Sequence, residues 1–257
     1  MPIHAGIYAF EHLARTPQCP SIVLIHGAGG THLHWPPQIR RLPDAQVYAI
    51  DLPGHGKSEG RGRQSITDYV ESTLAWLDER KIHQAVFVGH SMGGAVALTM
   101  AIQHPERVLA LGLVGTSARL RVDPVLLANT NHPETFPSAI HTIIERAFGP
   151  QAPQRLIQLA TKRMAEIRPV VLHSDFLACD AFDVMRSVVE IQVPCLVLCG
   201  ENDLLTPPRH AQYLADQLPN AESQILPQAG HMLQLEEPAA VAQALTNLLE
   251  RIPSQAR

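Results

Sequence analysis

The sequence predicts an α/β fold: a mostly parallel, doubly wound β-sheet with a helical cap inserted into it. Short unbroken apolar runs, typical of strands buried on both faces, alternate with stretches whose apolar residues recur at helical spacing. Between residues 117 and 188 the strand-like runs vanish, and helical stretches broken by prolines remain. With 257 residues, 46% of them hydrophobic, the chain can bury one large core and carry such an insertion. We therefore predict a core of residues 1–116 and 189–257 and a cap, or lid, of residues 117–188.

The first half of the chain supplies most of the predicted sheet. Residues 3–10 are weakly strand-like and predict an edge hairpin. Buried strands are predicted at 21–25, 46–50, 85–88 and 108–114. Helices are predicted at 65–80, with Ser65 or Thr67 as the cap, and from 94 to the His104-Pro105 step, where proline cannot continue the helix.

After the insertion the alternation resumes. A strand is predicted at 193–199, a helix from Pro207-Pro208 to about 218, a last strand at 223–226 and a C-terminal helix at 238–250. Because parallel sheets bind ligands beyond the carboxyl ends of their strands, the residues that follow each strand are the candidates for a functional site.

One strand end carries the segment Gly89-His90-Ser91-Met92-Gly93. A serine on a tight strand-to-helix turn is held in a strained conformation that exposes its hydroxyl above the sheet. The glycines lack a Cβ, so the strand and the helix can pass close together. The bare pattern arises by chance in roughly one chain in ten of this length. The strand before it and the helix after it favour Ser91 as a nucleophile.

Two later strand ends carry the partners that a serine nucleophile requires. A hydroxyl needs a base within hydrogen-bond reach, and that base needs an orienting carboxylate. Asp203 follows one late strand and His231 follows the next, so both are expected beside Ser91. Of fourteen histidines, only His231 follows a late strand with glycine before it. Glu201 remains an alternative acid, although the turn after Gly200 favours Asp203.

The strand at 21–25 ends in a glycine-rich turn, His26-Gly27-Ala28-Gly29-Gly30. Amide groups at Ala28 and Gly29 that face the amide of Met92 would form an oxyanion hole. The turn lacks the third glycine of a dinucleotide-binding fingerprint, so that alternative is rejected.

Two other binding motifs are rejected on spacing. Gly56-Lys57-Ser58 resembles the end of a phosphate loop, but Asp51 stands where that motif needs a glycine. The histidines at 26, 32 and 34 have no cysteine or carboxylate at ligand spacing, so no metal site is predicted.

A substrate pocket is predicted between the strand ends and the cap. The residues expected to line it are Gly27, Gly29, His34, Trp35, His90, Phe136, Phe148, Phe176 and Met232. For the cap phenylalanines the alternative is that they hold the cap to itself. Lids over such sites exclude water and shape the cavity.

The composition limits the partners of the chain. A net charge of -4 with both signs interspersed argues against nucleic acid or an anionic membrane. The sequence shows neither an apolar run near the ~20 residues of a membrane span nor a signal-peptide pattern. Cys195 and Cys199 fall on one predicted strand, and at ~3.3 Å per residue their Cα atoms are about 13 Å apart, which is too far for a disulfide. Cys19 and Cys179 are expected to be free. A cytoplasmic location is therefore expected. No cofactor is implied, and the sequence carries no signal for an oligomeric state.

Together these motifs resemble the α/β-hydrolase fold family along nearly the whole chain. The resemblance is carried by His26-Gly27-Ala28-Gly29, residues 51–58, residues 89–94, Gly200-Glu201-Asn202-Asp203 and Gly230-His231-Met232. It implies Ser91 as nucleophile, Asp203 as acid, His231 as base, oxyanion donors from Ala28 and Met92, and a cap domain at 117–188. The serine excludes the haloalkane dehalogenase and epoxide hydrolase branches, which use an aspartate at this turn. Ala28 replaces a glycine of the lipase-type His-Gly-Gly-Gly stretch, which disfavours tertiary-alcohol and very bulky esters.

The expected function is a serine hydrolase that acts on carboxylic esters, or lactones, of small to medium, fairly apolar substrates through an acyl-enzyme on Ser91. Two alternatives remain open. The chain is also similar to cofactor-free perhydrolases or haloperoxidases, C–C bond hydrolases and lyases on the same fold. A non-catalytic ligand-binding protein is the other alternative, and the complete set of serine, aspartate and histidine argues against it.

Overall fold

The computed structural model, which describes residues 3–14 and 19–252, places eight strands in a single sheet. In chain order the strands are β1 (Ile3–His4), β2 (Ile7–His12), β3 (Ile22–Ile25), β4 (Val47–Asp51), β5 (Ala85–His90), β6 (Val108–Val114), β7 (Cys195–Gly200) and β8 (Ala221–Leu226). Across the sheet they follow the order β1-β2-β4-β3-β5-β6-β7-β8. The β1–β2 hairpin pairs antiparallel, as does β2 with β4, and every other pair is parallel. The predicted mostly parallel α/β fold and its edge hairpin are confirmed.

Most of the helices connect successive strands, and the last two follow β8. In chain order they are α1 (Pro37–Arg40), α2 (Ile66–Glu79), α3 (Met92–Gln103), α4 (Pro124–Thr130), α5 (Phe136–Ala147), α6 (Gln154–Ala165), α7 (Pro169–Ala181), α8 (Pro208–Gln217), α9 (Leu233–Glu236) and α10 (Pro238–Glu250). The helices with predicted bounds, α2, α3, α8 and α10, begin and end within about two residues of them. No bounds were predicted for the individual helices of the insertion. Ser65 caps α2, because its hydroxyl accepts the amide of Asp68. The four-residue helices α1 and α9 were not predicted, since one turn is too short to show periodicity.

Two apolar layers cover the sheet, one on each face. Val23 and Ile25 of β3 pack with the layer that contains residues of α2, α3 and α8. Ile22 and Leu24 point to the opposite layer, with residues of α1 and α10. Burial on both faces explains the unbroken apolar runs, because each buried side chain of this size contributes about 1.5–3 kcal/mol.

Trp35 lies in the second of these layers and is fully buried. Its predicted place beside the pocket is wrong. The indole packs with apolar residues such as Ile39 and Leu42, and burial of its large apolar surface outweighs the cost of leaving Nε1 without a partner among the described residues.

The helices α4 to α7 form an insertion between β6 and β7, where the strand pattern is missing. An isolated bridge between Arg119 and Asp183 joins its two ends. Phe136 packs in its apolar interior, with Ile140 and Leu172. The division into core and cap domains stays a prediction, and its ends at 1 and 257 lie outside the described residues.

The four cysteines are free thiols, as predicted. Burial raises the pKa of Cys195 and of Cys199 to about 12, so neither is a nucleophile at neutral pH. Within residues 3–14 and 19–252, a helix with the length and apolar character of a membrane span is absent.

Candidate active site

The turn between β5 and α3 holds Ser91 at φ 52° and ψ -117°. A positive φ costs a non-glycine residue about 1–2 kcal/mol, so the surrounding structure has to enforce it. The amide of Ser91 donates to the carbonyl of Val114 at 2.9 Å, and the Thr116 hydroxyl donates to the Ser91 carbonyl at 2.8 Å. These bonds anchor the backbone on both sides of the strained residue.

The glycines on either side of Ser91 are required sterically. A Cβ at Gly89 would lie 2.1 Å from the carbonyl oxygen of Gly93, and one at Gly93 would lie 2.2 Å from that of Ile25. Backbone atoms cannot move out of the way as a flexible side chain can. The close packing of β3, β5 and α3 therefore depends on these two positions.

His231 and Asp203 meet beyond the ends of β8 and β7. The Nδ1 of His231 donates to Oδ2 of Asp203 at 2.9 Å. Asp203 also accepts the Thr206 hydroxyl at 2.7 Å and the amides of Leu205 and Thr206 at 2.9 and 2.7 Å. These bonds fix the position of the carboxylate. The carboxylate in turn fixes the orientation of the His231 ring and holds the proton on Nδ1, which leaves Nε2 as the nitrogen that can accept a proton.

Asp203 is buried, and burial by itself would raise its pKa. The nearby His231 charge and the hydrogen bonds from His231 and Thr206 outweigh burial, so the pKa lies below its ordinary value. Glu201, the alternative acid, is exposed and accepts the amide of Gln228 at 3.2 Å instead. The carboxylate that contacts the imidazole is that of Asp203.

The lowered pKa of Asp203 makes folding stability depend on pH. Between the folded pKa and the unfolded value of about 3.9, the unfolded chain binds more protons, so stability rises with pH in that window. We expect the stability advantage of the wild type over Asp203→Asn to be complete above about pH 5 and to shrink as the pH falls through the lowered pKa. Urea unfolding of both proteins between pH 2 and 7 measures this difference in the free energy of unfolding. Asp216→Asn, at an exposed position of α8, is the control for loss of a single charge. If the difference in free energy of unfolding between the wild type and Asp203→Asn did not change with pH, the proposed stabilisation by the ionised Asp203 carboxylate would be contradicted.

The glycine-rich turn after β3 lies against Ser91. A Cβ at Gly27 would be 3.1 Å from the Cβ of Ser91. The amides of Ala28 and Met92 donate to no described residue, so both remain available to a ligand. The amide of Gly29 donates to the carboxylate of Asp175 at 2.7 Å. The prediction that Gly29 supplies an oxyanion donor is therefore wrong.

A cavity of about 260 Å³ lies over these groups and is lined by both Ser91 and His231. The Ser91 hydroxyl makes no hydrogen bond within residues 3–14 and 19–252, so it faces the cavity unpaired. Ala28 lines the cavity as well, and much of the remaining wall comes from α5, α6 and α7.

Most of the predicted pocket residues line this cavity: Gly27, His34, His90, Phe148, Phe176 and Met232. Gly29, Trp35 and Phe136 do not. Gly29 faces Ile167 and Leu172 instead. The sequence reasoning missed apolar lining residues of the insertion, namely Leu126, Ile143, Met164 and Leu172. Their helical spacing was visible in the sequence, but it did not show which face meets the cavity.

Two further histidines in the cavity wall are held neutral. Burial, with the nearby Arg163 charge, lowers the pKa of His34 to about 4. Burial and the neighbouring His231 lower the pKa of His90 well below its ordinary value. The ring of His90 lies 4.7 Å from that of His231 and donates from Nε2 to the His231 carbonyl at 3.0 Å. His90 thus packs against the imidazole and restrains its backbone.

The fold and the site together define a hydrolase of the α/β class. Residues 22–244 match the model of the alpha/beta hydrolase family. The chain belongs to the alpha/beta hydrolase family, and its general activity is hydrolysis.

The relatives of this chain include two curated bacterial proteins and a solved structure. The chain is 32% identical over 242 residues to the dihydrolipoyllysine-residue acetyltransferase component of the acetoin cleaving system of Pseudomonas putida, covering 90% of this chain but only 63% of that relative. It is 31% identical over 253 residues to the pimeloyl-[acyl-carrier protein] methyl ester esterase of Vibrio atlanticus (strain LGP32), covering 91% and 96% of the two chains. The enol-lactonase of Burkholderia xenovorans LB400 superposes with a TM-score of 0.88 at 26% identity, over 95% and 96% of the chains.

Proposed function

We propose that this protein is a serine-dependent hydrolase of carboxylic esters, lactones included, with Ser91 as nucleophile, His231 as base and Asp203 as the acid that orients it. The observation that carries the proposal is the shared cavity. It brings together a strained serine hydroxyl, the imidazole bonded to Asp203, and Ala28. The amide of Ala28, like that of Met92 next to Ser91 in the chain, has no partner among the described residues.

The proposed reaction has two halves. His231 takes the proton from the Ser91 hydroxyl while the oxygen attacks the ester carbonyl, and Asp203 stabilises the imidazolium that forms. The negative charge on the former carbonyl oxygen is received by the amides of Ala28 and Met92. The imidazolium then gives its proton to the leaving alcohol, an acyl-enzyme remains on Ser91, and water activated by His231 releases the acid.

The cavity supports a small or medium, largely apolar acyl group. Its volume of about 260 Å³ lies just below the usual range of roughly 300–1,000 Å³ for ligand pockets, and the lining side chains from α5 to α7 are mostly apolar. Arg121 and Arg146 also line it, together with one carboxylate, Asp123, which accepts the amides at the start of α4. The two guanidinium groups outnumber this carboxylate, so an otherwise apolar substrate can carry one anionic group. The relatives named as a methyl ester esterase and an enol-lactonase agree with an oxygen-ester substrate.

A labelling experiment with an ester panel tests the proposal. A fluorophosphonate is expected to form one adduct on the wild type, at Ser91, and to abolish turnover in proportion. The panel spans p-nitrophenyl esters of increasing acyl length, one lactone and one monomethyl ester of a dicarboxylic acid, and turnover should fall once the acyl chain outgrows the cavity. A separate assay with hydrogen peroxide, acetate and monochlorodimedone tests the perhydrolase alternative. Folded protein that takes up no label and turns over none of these esters would overturn the proposal.

A further inference from the structure

Asp175 is a buried carboxylate in the middle of α7, and its contacts reach the turn beside Ser91. Its side chain is fully buried, which is tolerated only when a carboxylate is paired and hydrogen-bonded. Oδ2 accepts the amide of Gly29 at 2.7 Å and Nε2 of His55 at 2.8 Å, and Oδ1 accepts the Tyr69 hydroxyl. These donors come from three separate segments that precede the insertion in the chain.

The charge of this carboxylate is balanced by His55. The two ring nitrogens of His55 face acceptors, Nε2 towards Asp175 and Nδ1 towards the Pro53 carbonyl at 3.1 Å. Only the imidazolium can donate at both nitrogens. Burial acts to lower the pKa of His55, but the charge and hydrogen bond of Asp175 outweigh it, so the pKa is raised. The hydrogen bond to Gly29 is therefore accepted by an ionised carboxylate, which makes it one of the stronger kinds.

That hydrogen bond fixes the turn that presents Ala28. The turn from Gly27 to Gly30 is closed by the Gly30 amide, which donates to the Gly27 carbonyl at 2.9 Å. Gly29 occupies its third position with φ +62°, a conformation suited to glycine. Asp175 holds the Gly29 amide and so fixes the peptide group that follows Ala28. The peptide group that precedes Ala28 is held by the Gly27 carbonyl, which accepts the Gly30 amide and also Nδ1 of His26 at 2.8 Å. With both peptide groups restrained, rotation about Ala28 is limited, and loss of the Asp175 bond would release one of the two restraints. The Ala28 amide then stays unpaired beside Ser91.

We propose that Asp175 is a positioning residue for the oxyanion hole. By holding the Gly29 amide, it keeps the Ala28 amide aimed at the oxygen that becomes negative in the transition state, and it ties that donor to a helix of the insertion. The proposal rests on the ester-hydrolysis mechanism given above. Pre-organised donors stabilise the transition state more than the bound substrate. Loss of Asp175 should therefore lower kcat and leave KM nearly unchanged.

Arg168, directly before the same helix, offers a matched control. It precedes α7 at an exposed position and donates to the carbonyls of Gly54 and Gly60 at 2.8 and 3.0 Å. It therefore also ties α7 to the segment after β4, but among the described residues it makes no hydrogen bond to the glycine-rich turn. The Arg168→Ala variant therefore shows the effect of weakening the attachment of the insertion without removing the hydrogen bond to Gly29.

The experiment compares Asp175→Ala, Asp175→Asn and Arg168→Ala on one short p-nitrophenyl ester, with active sites counted by fluorophosphonate. We expect Asp175→Ala to lower kcat roughly 10- to 100-fold, less than outright removal of an oxyanion donor, with KM changed less than about 3-fold. A boronic acid, which forms a tetrahedral adduct on Ser91, should bind more weakly by a similar factor. Asp175→Asn keeps an oxygen acceptor for Gly29 and should recover part of kcat. Arg168→Ala should stay within about 3-fold of the wild type in every readout.

The possible outcomes separate the two proposals. If the wild type is active and Asp175→Ala loses no more kcat than Arg168→Ala, the positioning role is overturned and the proposed function stands. If Asp175→Ala does not fold, Asp175→Asn carries the test, because its amide oxygen is a weaker acceptor than a carboxylate and its kcat should lie below that of the wild type. A kcat and a boronic-acid affinity that both equal those of the wild type then overturn the role. A wild type that hydrolyses no ester overturns both. A loss of kcat with an equal loss of boronic-acid affinity and a steady KM supports the role.

Discussion

Replacing Ser91 by alanine should lower kcat for ester hydrolysis at least about 10⁴-fold, leave KM nearly unchanged and abolish fluorophosphonate labelling. The hydroxyl is the group that forms the acyl-enzyme, and no other described side chain in the cavity combines a hydroxyl with a position on the strained turn. A small residual rate over water is expected, because the cavity and the two free amides remain. Steady-state kinetics and intact-protein mass spectrometry after labelling measure both effects.

A second serine provides the control for this result. Ser72 lies on α2, where its hydroxyl donates to the carbonyl of Asp68 outside the cavity. Ser72→Ala should be labelled and should turn over ester like the wild type. Ser91→Ala protein that keeps more than about a tenth of the wild-type kcat would exclude the proposed nucleophile.

Backbone strain at position 91 can be measured separately from chemistry. Alanine at this position carries the same positive φ as serine, whereas glycine adopts it without penalty. Ser91→Gly should therefore be more stable than Ser91→Ala by about 1 kcal/mol, although both are inactive. Chemical denaturation of the two variants gives the difference. Equal stabilities would limit the strain to the extra conformational entropy that glycine loses on folding, about 0.4–1 kcal/mol.

Gly89→Ala should destabilise the fold by at least about 3 kcal/mol and remove most of the activity. The new Cβ would lie 2.1 Å from the carbonyl oxygen of Gly93 and 2.4 Å from the amide nitrogen of Gly94. Relief requires the start of α3 to move away from β5, and that movement displaces both Ser91 and the Met92 amide. Urea unfolding and kcat measured on the same preparation test both parts.

The matched control for this substitution is Gly60→Ala. Gly60 has a positive φ of +80°, but a Cβ there would meet nothing within 4 Å. Only backbone strain of about 1 kcal/mol is expected, with kcat preserved. If Gly89→Ala cost no more than Gly60→Ala, the close approach of strand and helix would not be what requires glycine at this turn.

The class of fold and the chemistry of the proposed site could be predicted from the sequence because both depend on short stretches of consecutive residues. A strand buried on two faces has to be apolar throughout, and a nucleophile on a tight turn has to be flanked by small residues. Ser91, Asp203 and His231 each follow a predicted strand, and parallel strands bring such ends to one edge. The order of the strands across the sheet was not readable, because pairing depends on contacts far apart in the chain.

What only the tertiary structure decided is where single side chains and amides point. Trp35 is in the core, Phe136 is inside the insertion, and the amide of Gly29 is taken by a carboxylate 146 residues further along the chain. A lone aspartate on a helix is by default a surface residue, so nothing in the sequence marked Asp175. Periodicity shows that a helix has an apolar face, but only packing against the other elements determines which side chains on that face meet the cavity.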